Sequence, residues 1–223
     1  TYVHEIKDIT HKLSMKIVLA KEALELDSNL QDVLKYLNEA NVMRESLSSW
    51  FKVTIGSVTR DKRTMKKTDL NLLISQTVKS WEETLKNVSI DIKFQGSEIQ
   101  LKCFPYDIES IFSNLIANSV SSFESCFSDN KSIKIVVSDS DKEIIIKYSD
   151  SGQGLSEAYK KNPRKILEPM ESDRRNEMGE TIGTGMGMWI INRTVADYNG
   201  SIDLSDNMKH TSGFYATIRL IKK

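Results

Sequence analysis

Length, composition and charge limit the classes of protein to which this chain can belong. It has 223 residues, 39% hydrophobic and 28% charged, and its 31 basic residues balance its 31 acidic ones. These values are typical of a soluble protein of one or two domains, and they give no support for nucleic acid as a partner. Two cysteines without a CxxC pair argue against a zinc or redox site, and no apolar run reaches the roughly 20 residues of a membrane helix.

The first part of the chain predicts two helices. Apolar residues recur at steps of three and four over residues 6–24 and again over 30–51, and Asp27-Ser28-Asn29 between them are typical turn and cap residues. Two helices with narrow apolar stripes do not enclose a core. We therefore expect residues 1–58 to form an antiparallel hairpin that pairs with a second copy into a homodimeric four-helix bundle.

A polar, basic stretch, residues 59–68, predicts a linker, and the pattern changes after it. Residues 69–223 mix helix-like and strand-like segments without strict alternation. Helices are expected over 70–85, 105–123 and 186–198, and strands over 89–94, 99–102, 132–137, 143–148, 201–204 and 214–221. This order predicts an α+β fold, an α/β sandwich with helices on one face of a mixed sheet, and the polar segment 156–182 is expected to be irregular.

Three motifs in this second part carry polar chemistry. Asn114 and Asn118 lie four residues apart on one face of the predicted long helix, which suits either a magnesium or phosphate ligand or a plain solvent face. Asp150 ends a predicted strand and is followed by Gly152 and Gly154, an arrangement found at ligand sites and in ordinary turns. Residues 183–187, Gly-Thr-Gly-Met-Gly, precede a predicted helix and form either a phosphate site or a flexible loop.

Taken together and in this order, the three motifs resemble the N box and the two glycine boxes of the GHKL superfamily, which includes histidine kinases, gyrase, MutL and chaperone ATPases. Residues 166–170, Ile-Leu-Glu-Pro-Met, resemble the start of the kinase ATP lid, and Asn199-Gly200 resemble the turn before the late strand. The resemblance implies a Bergerat-type ATP-binding domain over residues 69–223. It also implies ATP and Mg²⁺ as ligands.

The resemblance assigns roles residue by residue. Asp150 would bind the adenine amino group, with Gly152 and Gly154 shaping the pocket, and Asn118 would coordinate magnesium with Asn114 nearby. Residues 156–182 would close over ATP as a lid. The phosphate-binding and hinge positions would be Gly183, Thr184, Gly185, Met186 and Gly187. Ser121 stands where many family kinases have a basic residue. The phosphate contact of that residue is then either missing or made by the lid, for example by Arg174 or Arg175, and plain solvated surface is the favoured interpretation of these two charges.

Asn114 and His4 favour the kinase branch. The ATPase members usually have a glutamate at the position of Asn114, and an amide cannot activate water as a general base. His4-Glu5 resembles the start of the kinase H box, in which the histidine accepts the γ-phosphoryl group and the acid orients its ring. At about 100° per residue, His4 is expected to point away from the apolar stripe.

Asp8 takes the place of the threonine or asparagine linked to dephosphorylating the partner, and we include it among the catalytic candidates. His11 is a weaker candidate acceptor because Lys12, not an acid, follows it. We therefore expect a protein-histidine kinase of a two-component system that phosphorylates His4 and then a response-regulator receiver domain. A non-catalytic ATP-binding switch and a hydrolysing ATPase are the alternatives.

The chain begins at Thr1, without a methionine, inside a predicted helix. We interpret it as a cytoplasmic piece of a longer protein. Any contact with a membrane would then come through other parts of that protein.

Overall fold

The structure, a computed structural model, describes residues 2–25, 30–60, 65–124, 130–173 and 185–222, and it describes no side chains for residues 2–9, 25, 46 and 48–60. The chain divides into two compact units. One consists of Thr1–Thr59 and Pro169–Met186, and the other of Arg60–Glu168 and Gly187–Lys223.

Two long helices make up most of the first unit: α1 spans Tyr2–Glu25 and α2 spans Leu30–Arg60. An ion pair joins them, from Lys16 Nζ to Glu39 Oε2, and the same ammonium group lies 5.5 Å from the centroid of the Tyr36 ring. Among the side chains described on the two helices, the buried apolar ones are small: Ala20, Ala23, Val33 and Ala40.

Among the side chains described on these helices, several large apolar ones remain exposed in the single chain. Leu37 is 48% exposed and Leu30 68% exposed, although both belong to the predicted seam of α2. The others in this set are Met15, Ile17, Val18, Leu24 and Leu34. The two predicted helices are therefore present, but one copy leaves much of their apolar surface in contact with water.

The second unit is built on two sheets. Strands β1 (Lys66–Asp69) and β3 (Gln100–Cys103) pair antiparallel as a small sheet. The larger sheet has the strand order β2-β4-β5-β7-β6. Its strands are β2 (Val88–Gln95), β4 (Lys131–Asp139), β5 (Glu143–Asp150), β6 (Ser201–Asp203) and β7 (Tyr215–Ile221). Only the β2–β4 pairing among these is parallel, so the larger sheet is mixed.

Among the described residues of this unit, three helices have ten or more residues: α3 (Leu70–Lys79), α4 (Pro105–Glu124) and α6 (Gly187–Asp197). The Asp69 carboxylate caps α3 by accepting from Asn71 N at 2.9 Å. Pro105 is the first residue of α4, where a missing N–H costs nothing. A one-turn helix, α5 (Glu157–Lys160), and two 3₁₀ turns, Pro163–Leu167 and Ser205–Met208, complete the described helical segments.

One apolar core fills the space between these helices and one face of the larger sheet. Ile111 and Leu115 of α4, together with Ile133 and Ile135 of β4, are 0–1% exposed. Alternate residues along β4 and β5 are buried, as the period of two in a strand requires. The predicted α+β fold is therefore confirmed.

Some elements differ from the sequence expectation. Residues 66–68, assigned to the linker, belong to strand β1, and helix α3 ends at Lys79 rather than near residue 85. The segment expected to be irregular contains α5 and a 3₁₀ turn within its described residues. None of the described helices is both long enough and apolar enough to cross a membrane.

Candidate functional site

Asp150 is the last residue of β5 and is 7% exposed. Its carboxylate accepts three hydrogen bonds from the protein. Oδ1 accepts from the backbone N–H of Gly152 at 2.9 Å and of Phe214 at 3.2 Å, and Oδ2 accepts from the Ser119 hydroxyl at 2.6 Å. An ionised carboxylate offers about four lone-pair directions. One acceptor position therefore remains for a ligand.

A second hydroxyl stands behind Ser119. The phenol oxygen of Tyr148 lies 2.7 Å from Ser119 Oγ. Tyr148 is 2% exposed, and Ser119, on α4, is fully buried. Tyr148 precedes Asp150 by two residues on β5, so both side chains point to the same face of the sheet, toward α4. The three groups form a buried chain from Tyr148 through Ser119 to Asp150.

Burial governs the protonation of these groups. It raises the pKa of the Asp150 carboxyl above its ordinary value, while the hydrogen bonds from Ser119, Gly152 and Phe214 oppose that rise. Burial also raises the pKa of the Tyr148 phenol strongly, and the nearby carboxylate of Asp150 adds to the rise. Tyr148 therefore keeps its proton at neutral pH.

The two glycines after Asp150 allow a close approach of the backbone. A Cβ added to Gly152 would lie 2.2 Å from Ser122 Oγ, which rules out any larger residue without movement. Gly154 has φ +73°, and a Cβ there would lie 2.5 Å from the carbonyl oxygen of Gly213. The N–H of Gly213 donates to Gly152 O at 2.8 Å, which fixes the loop before β7 against the residues that follow Asp150.

The two asparagines of α4 face the first turn of α6. A Cβ added to Gly187 would lie 3.2 Å from Asn114 Oδ1 and 3.6 Å from Asn118 Oδ1. Asn114 Nδ2 donates back to Ser110 O at 2.8 Å, so its amide is oriented with the oxygen toward α6. The polar face predicted from the four-residue spacing is therefore directed at the N-terminus of a helix.

This arrangement suits a phosphate and a magnesium ion. The N-terminus of α6 carries backbone N–H groups and the positive end of the helix dipole, both of which favour an anion. The amide oxygens beside it are hard ligands of the kind that Mg²⁺ accepts, and this ion usually takes its remaining ligands from water and phosphate. Within the part of the chain that the structure describes, no cluster of three or more His, Cys, Asp or Glu suits a metal.

Of the remaining predicted phosphate-binding residues, the structure describes only Gly185 and Met186. Gly183 and Thr184 lie outside the described residues, as do Arg174 and Arg175. Gly185, in the first unit, packs on the backbone of Met170, where a Cβ would lie 2.4 Å from the carbonyl carbon. Met186 is fully buried.

The predicted acceptor lies on α1. His4, Glu5 and Asp8 belong to this helix, and their side chains lie outside the description. The rival candidate His11 is exposed on the same helix.

Sequence reasoning missed two polar groups of the site, Ser119 and Tyr148. Both left a signal: Ser119 directly follows Asn118, and Tyr148 shares a strand face with Asp150. The N–H of Phe214 left no local signal, because it meets Asp150 only through the pairing of β5 with β7.

Comparisons with known proteins agree with this geometry. The sequence profile of the histidine kinase-, DNA gyrase B- and HSP90-like ATPases matches residues 104–222, more than half of the chain. A Bacillus subtilis protein described as a probable C4-dicarboxylate sensor kinase is 26% identical over 109 residues, which are 49% of this chain. Those residues are 19% of the relative, so the match spans about a fifth of its length.

Solved structures share the fold. The histidine kinase AdeS of Acinetobacter baumannii has a TM-score of 0.56 at 16% identity, over 99% of this chain and 98% of its own. The histidine kinase ThkA in complex with the response regulator TrrA has a TM-score of 0.57 at 16% identity, over 99% of this chain and 61% of its own. The ThkA catalytic domain alone has a TM-score of 0.55 at 21% identity, over 70% of this chain and 97% of its own.

Proposed function

Because the chain belongs to the family of histidine kinase-, DNA gyrase B- and HSP90-like ATPases, we propose that it is the catalytic core of a sensor histidine kinase. It transfers the γ-phosphoryl group of ATP to His4 and then to an aspartate of a response-regulator receiver domain. The orientation of Asn114 is the observation that carries this proposal. Its amide oxygen lies at the N-terminus of α6, where a hydrolysing enzyme would need a carboxylate to activate water.

ATP is held at two ends of one unit. The adenine amino group donates to the remaining acceptor position of Asp150, beside Gly152 and Gly154. The phosphates lie at the N-terminus of α6, near Asn114 and Gly187, and Asn118 provides an oxygen for Mg²⁺. The ion would offset the charge of the phosphates.

The acceptor step forms one bond and breaks one. A ring nitrogen of His4 attacks the γ-phosphorus, the N–P bond forms, the bond to the bridging oxygen breaks and ADP leaves. Glu5 holds the proton on the other ring nitrogen, so that the attacking nitrogen keeps its lone pair. Positioning supplies most of the acceleration. Asp8 would influence how the receiver domain is later dephosphorylated.

The exposed apolar stripes of α1 and α2 support a homodimer. Leu30, Leu34 and Leu37 recur at steps of four and three on α2 and are about half exposed or more in one copy. A second copy would cover them in an antiparallel four-helix bundle. The structure of ThkA bound to TrrA supports a response regulator as partner, and we place the kinase core in the cytoplasm with it.

The test is phosphorylation with γ-labelled ATP and Mg²⁺. We expect an acid-labile, alkali-stable label on the wild-type chain that disappears in His4→Gln and in Asn118→Ala. His11→Gln is the matched control, since it removes an exposed histidine of the same helix, and it should keep the label.

Two results would change the proposal. A label that persists in His4→Gln and disappears in His11→Gln would move the acceptor to His11. Tight ATP binding without any label would overturn the kinase reaction and favour a nucleotide-dependent switch.

A further inference from the structure

The buried chain from Tyr148 through Ser119 to Asp150 has no role in the family assignment above. We propose that Ser119, supported by Tyr148, is a positioning residue that keeps Asp150 an acceptor-only group and thereby selects a 6-amino purine over a 6-oxo purine. This inference rests on the proposed binding of ATP at Asp150 and names what determines its base specificity.

The number of protons available fixes which group donates and which accepts in each hydrogen bond. An ionised carboxylate has no proton, so Ser119 must donate its single hydroxyl proton across the 2.6 Å contact to Asp150 Oδ2. Ser119 Oγ is then left as an acceptor toward Tyr148, and the phenol donates to it across 2.7 Å. Every group of the chain is satisfied in this state, as buried polar groups require.

A neutral Asp150 would reverse the direction of these hydrogen bonds. The carboxyl proton would then have to be shared with Ser119 or offered to the ligand. Burial of the carboxyl favours this neutral form, and Ser119 is one of three donors that oppose it. The other two are backbone N–H groups that no side-chain substitution removes. Ser119 is therefore the donor through which the sequence sets the state of the carboxyl.

The state of the carboxyl decides which base fits. With three donors bound, the carboxylate has about one acceptor position left, which matches one N–H of the adenine amino group. A 6-oxo group would place its own acceptor against that carboxylate. Sites built around one hydrogen-bond pairing reject the analogue that lacks it far more strongly than apolar pockets do.

The experiment compares binding of ATP and inosine triphosphate, which replaces the 6-amino group by a carbonyl. Calorimetric titration of the full chain with Mg²⁺ present gives the ratio of the two dissociation constants. We expect Ser119→Ala to reduce the preference for ATP about 10-fold, because it removes one hydrogen bond to a charged group. Ser119→Thr keeps the hydroxyl and should keep most of the preference.

Two further variants separate selectivity from stability. Tyr148→Phe keeps the ring but removes the donor to Ser119, and it should reduce the preference about 3-fold. Thr77→Val is the matched control: Thr77 is also a buried hydroxyl on a helix, and it donates to Leu73 O within α3. Its removal should leave the ratio unchanged.

The outcomes are distinguishable. A wild-type chain that binds neither nucleotide overturns the proposed function and this inference with it. A wild-type chain that prefers ATP, with the same preference in Ser119→Ala, overturns the inference alone. If Ser119→Ala does not fold, Tyr148→Phe decides: a preference equal to that of wild type overturns the inference, and a reduced one supports it.

Discussion

The two-helix segment (α1 and α2) and the ATP-binding unit (residues 60–168 and 187–222) differ in where they place their large apolar side chains. The ATP-binding unit buries isoleucines of β4 and β5 completely, beneath its helices. The two-helix segment buries mainly alanines and leaves leucines such as Leu34 and Leu37 about half exposed.

This difference separates two sources of stability. A unit that encloses its own core gains its hydrophobic free energy within one chain, so its stability is independent of protein concentration. A segment whose apolar stripe is open gains that free energy only when something covers it. We therefore expect a single chain to bind the nucleotide, and the stability of the two-helix segment to depend on a second copy.

The largest effect is expected from a cavity in the enclosed core. Ile135→Ala removes a fully buried side chain from the middle of β4 and should lower the free energy of unfolding by about 3 to 4 kcal/mol. Urea unfolding at two protein concentrations measures it. The loss should be the same at both concentrations if the core is closed within one chain.

Val136→Ala is the control for this substitution. Val136 is the next residue on β4, points to the opposite face of the sheet and is partly exposed. Its substitution should lower the free energy of unfolding by about 1 kcal/mol or less. A loss for Ile135→Ala that shrinks as protein concentration rises would break the distinction between the two segments.

The next effect tests the open stripe. Leu37→Asp places a charge in the middle of the exposed stripe of α2 and should weaken self-association about 100-fold, because burying an unpaired carboxylate in a helix interface is costly. Sedimentation velocity over a concentration series measures the dissociation constant. Binding of ATP by the same variant should be unchanged.

Asn38→Asp is the matched control, since it adds the same charge at the neighbouring polar, exposed position. It should leave the dissociation constant within about 3-fold of wild type. A wild-type chain that sediments as a monomer at high concentration would contradict the homodimer. The exposed leucines would then have to be covered by a partner other than a second copy.

The local parts of this architecture could be predicted from sequence, and the contacts across it could not. Alternation predicted β4 and β5, and the two glycines that follow Asp150 predicted its position where a strand ends in a tight loop. Strand β1 was hidden in the predicted linker because its residues, Lys-Lys-Thr-Asp, show no apolar alternation, and it forms through its backbone pairing with β3.

The pairing of Ser119 with Tyr148 and Asp150 was hidden for a related reason. These residues are 29 and 31 positions apart in sequence, and they meet only because α4 packs on the face of the sheet toward which β5 directs both side chains. The exposure of Leu30 and Leu37 in one copy, in contrast, follows from the sequence, because two helices with narrow apolar stripes cannot cover each other's stripes completely.

The smallest effect concerns pH and sharpens the contrast, since the closed core of the ATP-binding unit includes a buried carboxyl. The folded-state pKa of Asp150 is raised by burial, so the folded protein holds this proton more tightly than the unfolded chain. The stability that follows is fully present below the unfolded pKa and is lost as the pH rises through the folded pKa. Ionisation of the Asp150 carboxyl therefore lowers the stability of the fold. The proposed binding of ATP requires this ionised form.

Asp150→Asn should remove this cost while keeping the packing, because its amide can donate to Ser119 and still accept from Gly152 N. We expect the stability of Asp150→Asn relative to wild type to increase as the pH rises from about 4 to 7, while its affinity for ATP falls roughly 10- to 100-fold.

Asp203→Asn gives the opposite sign as a control. The pKa of Asp203 is lowered by the backbone and side-chain hydrogen bonds of Ser205, so its ionised form stabilises the fold and its contribution is lost as the pH falls through the folded pKa. Urea unfolding of the three proteins from about pH 3 to 7 measures both slopes: that of Asp203 lies below about pH 4, and that of Asp150 above it. Slopes of the same sign for the two variants would mean that the hydrogen bonds to Asp150 outweigh its burial and lower its pKa, as hydrogen bonds do at Asp203.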